Sequence, residues 1–252
     1  MTDIWEGKHR IGSYHTDYTW KARQSALFAL LGDEAGRHSI DLGFSYWDMK
    51  KKGLAWVLAK MRVDVERYPV YDETVTIRTW TEGWDGLFAV RGYEIVNDKG
   101  ELLCKACSHW VVIRLEGLQL VRPKDLDFNY RPNRTDYPLP VPQRVPPDGT
   151  LISTHAFTAQ HEHVDFLRHV NNAKYADWVC DCFGQEHYDK YEIESLTINY
   201  NQQVVWGETV EVKVLERDME KPTHRFEGVS KASGKTSFFA EAVWREARDC
   251  GL

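Results

Sequence analysis

The period of the apolar positions changes several times along the chain, and each change predicts a new element. Residues 9–17 predict a strand entering a turn. Ala26, Leu27, Leu30 and Leu31 then form a helical stripe, with Gly32 and Gly36 as expected stops. Residues 45–53 predict a short second helix. Residues 54–70 open on an apolar run, alternate at Met61, Val63 and Val65, and predict one long strand closed by Pro69. Alternation at Val75 and Ile77 predicts the next strand. Residues 87–97 and 101–115 predict two more, joined through the turn Asn97-Asp98-Lys99-Gly100.

The pattern breaks at 117–149, which holds Pro123, Pro132, Pro138, Pro140, Pro142, Pro146 and Pro147 and predicts a semi-extended linker. The earlier order then recurs: a strand over 151–163, a helix with Tyr175, Trp178, Val179, Cys182 and Phe183 on one face, and four strands. Asp72–Arg78 matches Gly207–Lys213, and Gly100 to Trp110 has the turn-to-Trp spacing of Gly234 to Trp244. Asp17 precedes the first helix as Asp165 precedes the second. These repeats predict a duplicated strand–helix–four-strand unit: 1–116, a linker over 117–149, and 150–252. One helix per mostly antiparallel sheet implies an α+β layer, and two such sheets can protect their open edges by pairing with each other.

Composition narrows the function. The net charge of −6 argues against a general nucleic-acid binder. Ten Trp in 252 residues call for large apolar surfaces or a greasy ligand. No run reaches the ~18 apolar residues of a membrane span, and the start lacks an apolar stretch of signal-peptide length, so the cytoplasm is the expected compartment. Five cysteines, an odd number, fit a reducing environment. Cys104 and Cys107 lie on a predicted strand with side chains on opposite faces, which argues against a redox or zinc role.

The candidate chemistry lies at 161–184. Asp165 and His169, followed by Asn171 and Asn172, are expected just ahead of a buried helix or on its first turn, where free N–H groups favour developing negative charge. The same residues also read as a polar helix cap. His161, His163 and Asp165 would share one face of a strand, a spacing that suits a mononuclear metal site as a rival reading.

Three segments carry a resemblance. Residues 54–80, LAWVLAKMRVDVERYPVYDETVTIRTW, residues 108–113, SHWVVI, and residues 163–179, HVDFLRHVNNAKYADWV, resemble motifs of the acyl–acyl-carrier-protein thioesterases, in the same order and across about Ile11 to Glu246. The resemblance implies a tandem (double) hotdog, two helix-on-curved-sheet units joined edge to edge. It also implies hydrolysis of acyl–carrier-protein thioesters to free fatty acids, without cofactor or metal. The family's catalytic Asp and His fall on Asp165 and His169. Its Asn falls on Leu167, its Glu on Gln203 and its Cys on Val204, which excludes a thiolate nucleophile there. Gln203 can orient a water but not take its proton. The expected roles are general base or water positioning for Asp165, carbonyl polarisation or leaving-group protonation for His169, and an oxyanion hole from the N–H groups of Val170 to Asn172. Asn171 and Asn172 are expected to shape the substrate site or the helix start.

The first unit keeps Asp17 but has Lys21 and Ala22 in place of His169 and Val170. It is expected to supply the acyl pocket, with Trp20, Phe28, Leu31 and Trp56 either lining it or serving as plain core. An acidic carrier protein requires a local basic patch, for which Lys50, Lys51 and Lys52 with Arg62 or Arg67 are the candidates. Neither nucleic acid nor a membrane span is expected as a partner, and a homodimer is left open. Other readings are an acyl-CoA thioesterase of the same fold, a hotdog hydratase or dehydratase, and a non-catalytic acyl-binding module.

Overall fold

A computed structural model describes residues 3–128 and 130–249. The first unit contains β1 (Trp5–Arg10), α1 (Gln24–Asp41), α2 (Tyr46–Lys51), β2 (Leu54–Val65), β3 (Thr74–Asp85), β4 (Phe88–Asn97) and β5 (Leu102–Arg114), with β6 (Leu120–Val121) at the start of the linker. The second contains β7 (Thr150–Thr158), α3 (Lys174–Cys180), α4 (Gln185–Tyr188), β8 (Tyr191–Tyr200), β9 (Thr209–Arg217), β10 (Thr223–Ser230) and β11 (Thr236–Glu246). These strands form one sheet in the order β1-β3-β4-β5-β2-β8-β11-β10-β9-β7, with β6 on β5. The order is a palindrome in kind, since each unit contributes the same five-strand path and the two paths meet at β2 and β8. All pairings are antiparallel, and the central one runs from Lys60 opposite Asn199 to Asp64 opposite Ser195. The double hotdog expected from the resemblance is therefore the observed architecture.

Strand alternation puts one face of each sheet into the core. On β9, Val210, Val212 and Val214 are fully buried while Glu211 and Lys213 point away. On α1, Leu27, Phe28, Leu31 and Ala35 pack inward. This helix runs through both Gly32 and Gly36, contrary to the expected stops. Neither glycine takes a left-handed conformation. The left-handed residue is Gly43 (φ +77°), two residues beyond the helix end, where such residues release a helix. The second helix is much shorter than α1, seven residues against eighteen. The strand predicted to reach Val70 stops at Val65, because Glu66 and Arg67 both donate their N–H to the Leu103 carbonyl and break the one-to-one pairing. The segment 161–163 is a 3-10 turn rather than strand.

In the first unit a second apolar cluster lies beyond α1: Phe44, Trp56, Trp84 and Tyr130 pack together with ring centroids 5.4–6.3 Å apart. The linker packs on the sheet. Tyr130 donates its hydroxyl to the Val90 carbonyl (2.8 Å), and Val145 N–H donates to Asn199 Oδ1 (2.8 Å). Among the described residues no helix is long and apolar enough to cross a membrane. Cys104, Cys107, Cys180 and Cys182 are unpaired thiols; Cys250 lies outside the described residues. Burial pushes the Cys107 thiol up to about 12, so it is protonated at neutral pH.

Gly92 on β4 lies under the fully buried Trp80, and a methyl group there would sit 2.6 Å from the ring. Gly92→Ala is expected to destabilise the chain by about 1–3 kcal/mol, seen as a lower urea midpoint at unchanged slope. An unchanged midpoint would show that the ring can move aside.

Candidate functional site

The segment around Asp165 is a tight loop just ahead of α3 rather than part of its first turn. Val164 and Val170 form an antiparallel bridge at its base. Asp165 N–H donates to the His169 carbonyl (3.1 Å), and Arg168 N–H donates to the Asp165 carbonyl (2.9 Å). Arg168 takes φ +68° to close the turn. The Asp165 carboxylate is held at both oxygens, Oδ1 accepting from Leu167 N–H (2.9 Å) and Oδ2 from Asn171 Nδ2 (3.3 Å). Asn171 Oδ1 in turn accepts from Ala173 N–H (2.9 Å) at the entry to α3. Asn172 is held by its carbonyl, which accepts from the Tyr200 hydroxyl (3.0 Å).

The segment after β8 lies alongside. Val170 N–H donates to the Val204 carbonyl (2.7 Å), and His169 bridges to Val205. Gln203, one residue before Val204, is therefore on the strand segment next to His169, with an exposed side chain. The structure thus brings Asp165, His169 and Gln203 onto neighbouring backbone. The expected oxyanion hole is reduced, because Val170 N–H is taken by Val204 and Asn171 N–H by the His163 carbonyl (2.9 Å). Of the three, only Asn172 N–H has no acceptor among the described residues. A cavity of about 510 Å³ opens here, lined by His161, Val164, Asp165, Arg168, Val205 and Trp206.

The metal reading loses its geometric premise. In the 3-10 turn His161 packs edge-on against Trp206 and His163 against Trp178. No group of three or more metal-ligating side chains is assembled among the described residues.

The first unit contains the same loop. Thr16 bridges to Ala22, Asp17 N–H donates to the Lys21 carbonyl (3.0 Å), Asp17 Oδ1 accepts from Thr19 N–H (2.8 Å), and Trp20 takes φ +67°. Ala22 N–H donates to the Pro69 carbonyl (2.8 Å) as Val170 does to Val204. Tyr68 thus corresponds to Gln203 and Gln24 to Asn172. Each loop reaches across to the short helix of the other unit: Phe166 packs edge-on against Tyr46 of α2 (5.5 Å), and the Tyr18 hydroxyl donates to Asp189 Oδ1 (3.2 Å) beside α4.

The two loops differ in what faces them. Lys21, at the place of His169, is tied to Glu192 (2.7 Å), and Arg245 holds the other Glu192 oxygen (2.7 Å). All three side chains are largely buried. Burial alone would raise the Glu192 pKa, but the hydrogen bonds from Lys21 and Arg245 outweigh it and hold the carboxyl below its usual range. Sequence reasoning missed Glu192 and Tyr46, since each meets its loop only across the seam between units and no local spacing signals that contact.

The four acyl-pocket candidates are not gathered in one place. Trp20 is 54% exposed and packs edge-on against Tyr71. Phe28 and Leu31 are buried in the main core under α1. Trp56 belongs to the second aromatic cluster and donates its indole N–H to the Phe44 carbonyl (3.0 Å).

A curved-sheet unit repeated in tandem, with one loop of each unit crossing to the other, defines a double hotdog protein. Sequence models of the acyl-ACP (acyl carrier protein) thioesterase N-terminal and C-terminal domains match residues 2–125 and 150–246. The chain belongs to the acyl-ACP thioesterase family, a family of thioester hydrolases. It is 25% identical over 264 residues to the chloroplastic oleoyl-acyl carrier protein thioesterase of Coriandrum sativum, an alignment covering 97% of this chain and 69% of that protein. It is 30% identical over 165 residues to the palmitoyl-acyl carrier protein thioesterase of Cuphea hookeriana, covering 62% and 40%. The chain spans 58–61% of the length of two Arabidopsis thaliana oleoyl-acyl carrier protein thioesterases. In structure it is similar to an acyl-ACP thioesterase from Bacteroides thetaiotaomicron (TM-score 0.83, 20% identity, 96% of this chain and 98% of the other). It is also similar to the 12:0-ACP thioesterase of Umbellularia californica (TM-score 0.82, 20% identity, 98% and 99%).

Glu192→Gln is expected to cost about 3–5 kcal/mol, because it leaves two buried cations short of a counter-charge. The sign with pH follows from the lowered carboxyl pKa. The Glu192 contribution is present above its unfolded pKa of about 4.3 and is lost as pH falls through the folded value. Denaturant midpoints of both proteins, compared at pH 7 and at pH 3, check this; the gap should narrow at the lower pH, and an equal gap would contradict it.

Proposed function

We propose that the chain hydrolyses thioesters between a fatty acyl group and acyl carrier protein, releasing the free fatty acid. The observation that carries the reading is the Asp165–His169 loop, in which a carboxylate fixed at both oxygens shares one turn with an imidazole. A water held by Asp165 and Gln203 attacks the thioester carbonyl carbon, and Asp165 receives its proton. His169 donates to the carbonyl oxygen as it gains charge, or to the departing sulfur as the C–S bond breaks. The Asn172 N–H is the remaining backbone donor for the oxyanion. Asn171 supplies the amide contact to Asp165 that Leu167 cannot. The first unit, with its apolar interior, takes the acyl chain. The free thiols fit a reducing compartment, and we assign the protein to the cytoplasm on that ground.

The basic surface for the carrier protein narrows to Lys50 and Lys51. Lys52 is paired with Asp127 (2.9 Å), Arg62 with Asp64 (2.7 Å) and Arg67 with Glu73 (2.5 Å). Lys50 lies over the rings of Tyr46 and Trp47 (5.6 and 5.4 Å), beside the Phe166 end of the loop.

Asp165→Ala is expected to lower kcat on acyl-ACP by about 100-fold or more, in the range of a lost general base, while acyl binding is retained. Turnover within a few-fold of wild type would remove Asp165 from the mechanism. Reversing both lysines (K50E with K51E) should raise KM for acyl-ACP several-fold and leave KM for the acyl-CoA analogue nearly unchanged. Equal effects on the two substrates would place carrier recognition elsewhere.

A further inference from the structure

A cleft larger than the one at the Asp165 loop lies at that loop's twin. It has a volume of about 710 Å³ and lies between the Asp17 loop of the first unit and β7, α3, α4 and β8 of the second. Lys21 and Glu192 cancel each other within its wall, as do Lys174 and Asp177 (3.0 Å). The apolar part of the wall is aromatic, from Phe157, Trp178 and Tyr188.

Among the described residues that line the cleft, one buried side-chain atom is left unsatisfied. Gln24, 4% exposed, lines the cleft. Its Nε2 donates to the Tyr68 hydroxyl (2.6 Å), which donates to the Ile193 carbonyl (2.8 Å). That chain fixes the amide orientation and leaves Gln24 Oε1 as an acceptor with no donor among the described residues. Gln24 is also the first residue of the eighteen-residue α1, so its backbone is fixed by the helix. The cleft wall therefore carries one uncommitted acceptor, beside the Lys21–Glu192 and Lys174–Asp177 pairs and the aromatic rings. An amide N–H on a neutral ligand answers it.

We propose that this cleft is a second ligand site, taking an amide-bearing chain of the pantetheine class. The choice of ligand rests on the thioesterase reading, because the loop at this cleft is the structural twin of the one assigned to a pantetheine thioester. Gln24 Oε1 accepts an amide N–H of the ligand, and the aromatic wall covers its methylene and methyl groups. The site binds without chemistry, since Lys21, held by Glu192, replaces the imidazole.

The test is a titration of the full chain with pantetheine, followed through the indole N–H resonances of Trp178, in the cleft, and Trp206, at the Asp165 loop. The Trp178 signal should shift saturably. Gln24→Leu should weaken that response at least fivefold while Trp206 behaves as in wild type. Ala156→Trp, from an exposed position on β7 that lines the cleft, should abolish it without touching the core. A Trp178 signal that does not move, or one that moves equally in wild type and in a folded variant of either kind, overturns the proposal. Coenzyme A and holo-carrier protein, titrated in turn, identify which source of the pantetheine arm gives the Gln24-dependent shift. Acyl-ACP hydrolysis by the same wild-type sample separates the two readings. Turnover with a static Trp178 retains the thioesterase and loses the second site, and a Gln24-dependent shift without turnover does the reverse.

Discussion

Everything in this molecule depends on the seam between β2 and β8. Each unit ends its sheet on one of these strands, and each strand alone would be an open edge with a row of unpaired backbone groups. Five residue pairs close it, from Lys60–Asn199 to Asp64–Ser195. Met61, Val63, Leu196 and Ile198 are buried on the core side of the junction. The polar ties across the seam are directional. The Tyr68 hydroxyl reaches the Ile193 carbonyl, Arg245 reaches the Val65 carbonyl (2.6 Å), and Lys21 reaches Glu192. Apolar burial alone would tolerate a slip of the two strands. These bonds reward one register only, and a slip of one residue would also turn every core side chain outward.

Fixing the seam fixes both loops at once, because each crosses it to reach the other unit. Duplication supplies two frames with the same backbone, down to a left-handed residue at Trp20 and at Arg168. The halves then diverge through a few side chains. In one, a lysine is neutralised by a buried glutamate, and Tyr68 turns inward. In the other, a histidine bridges through its backbone to Val205, and Gln203 stays in solvent. A cation bound to its carboxylate adds rigidity across the seam, while the His169 ring is tied to no carboxylate among the described residues, its Nδ1 lying 3.4 Å from the Val170 carbonyl.

The sheet was legible in the sequence because alternation at Val75 and Ile77, or at Val210 and Val212, is a local signal that burial on one face enforces. The duplication was legible because turn and core residues recur at fixed spacing. The helix ends were not: glycines suggested stops at Gly32 and Gly36, but packing under Leu27, Leu31 and Ala35 carries α1 past both. The neighbours Asp165, His169 and Asn171 were legible as a group, though not their place beside the chain after β8, since that depends on Val204 and Val205, more than thirty residues later. Contacts such as Phe166–Tyr46 and Lys21–Glu192 were illegible for the same reason, as they exist only once the seam has formed.

The two copies also separate what an aspartate does for the turn from what it does beyond it. Both Asp17 and Asp165 accept the N–H two residues on, which is the turn-forming bond. At Asp17 the same oxygen also accepts the Thr19 hydroxyl (2.6 Å), a bond that deepens the turn. Leu167 offers no hydroxyl, so Asp165 Oδ1 keeps that acceptor position open, and the second oxygen is oriented by Asn171 instead. A carboxylate has about four acceptor positions, and here two are committed to holding it in place. The leucine at 167 therefore leaves Asp165 both fixed and with acceptor positions to spare for a water, the two properties that the proposed general-base role asks of one group.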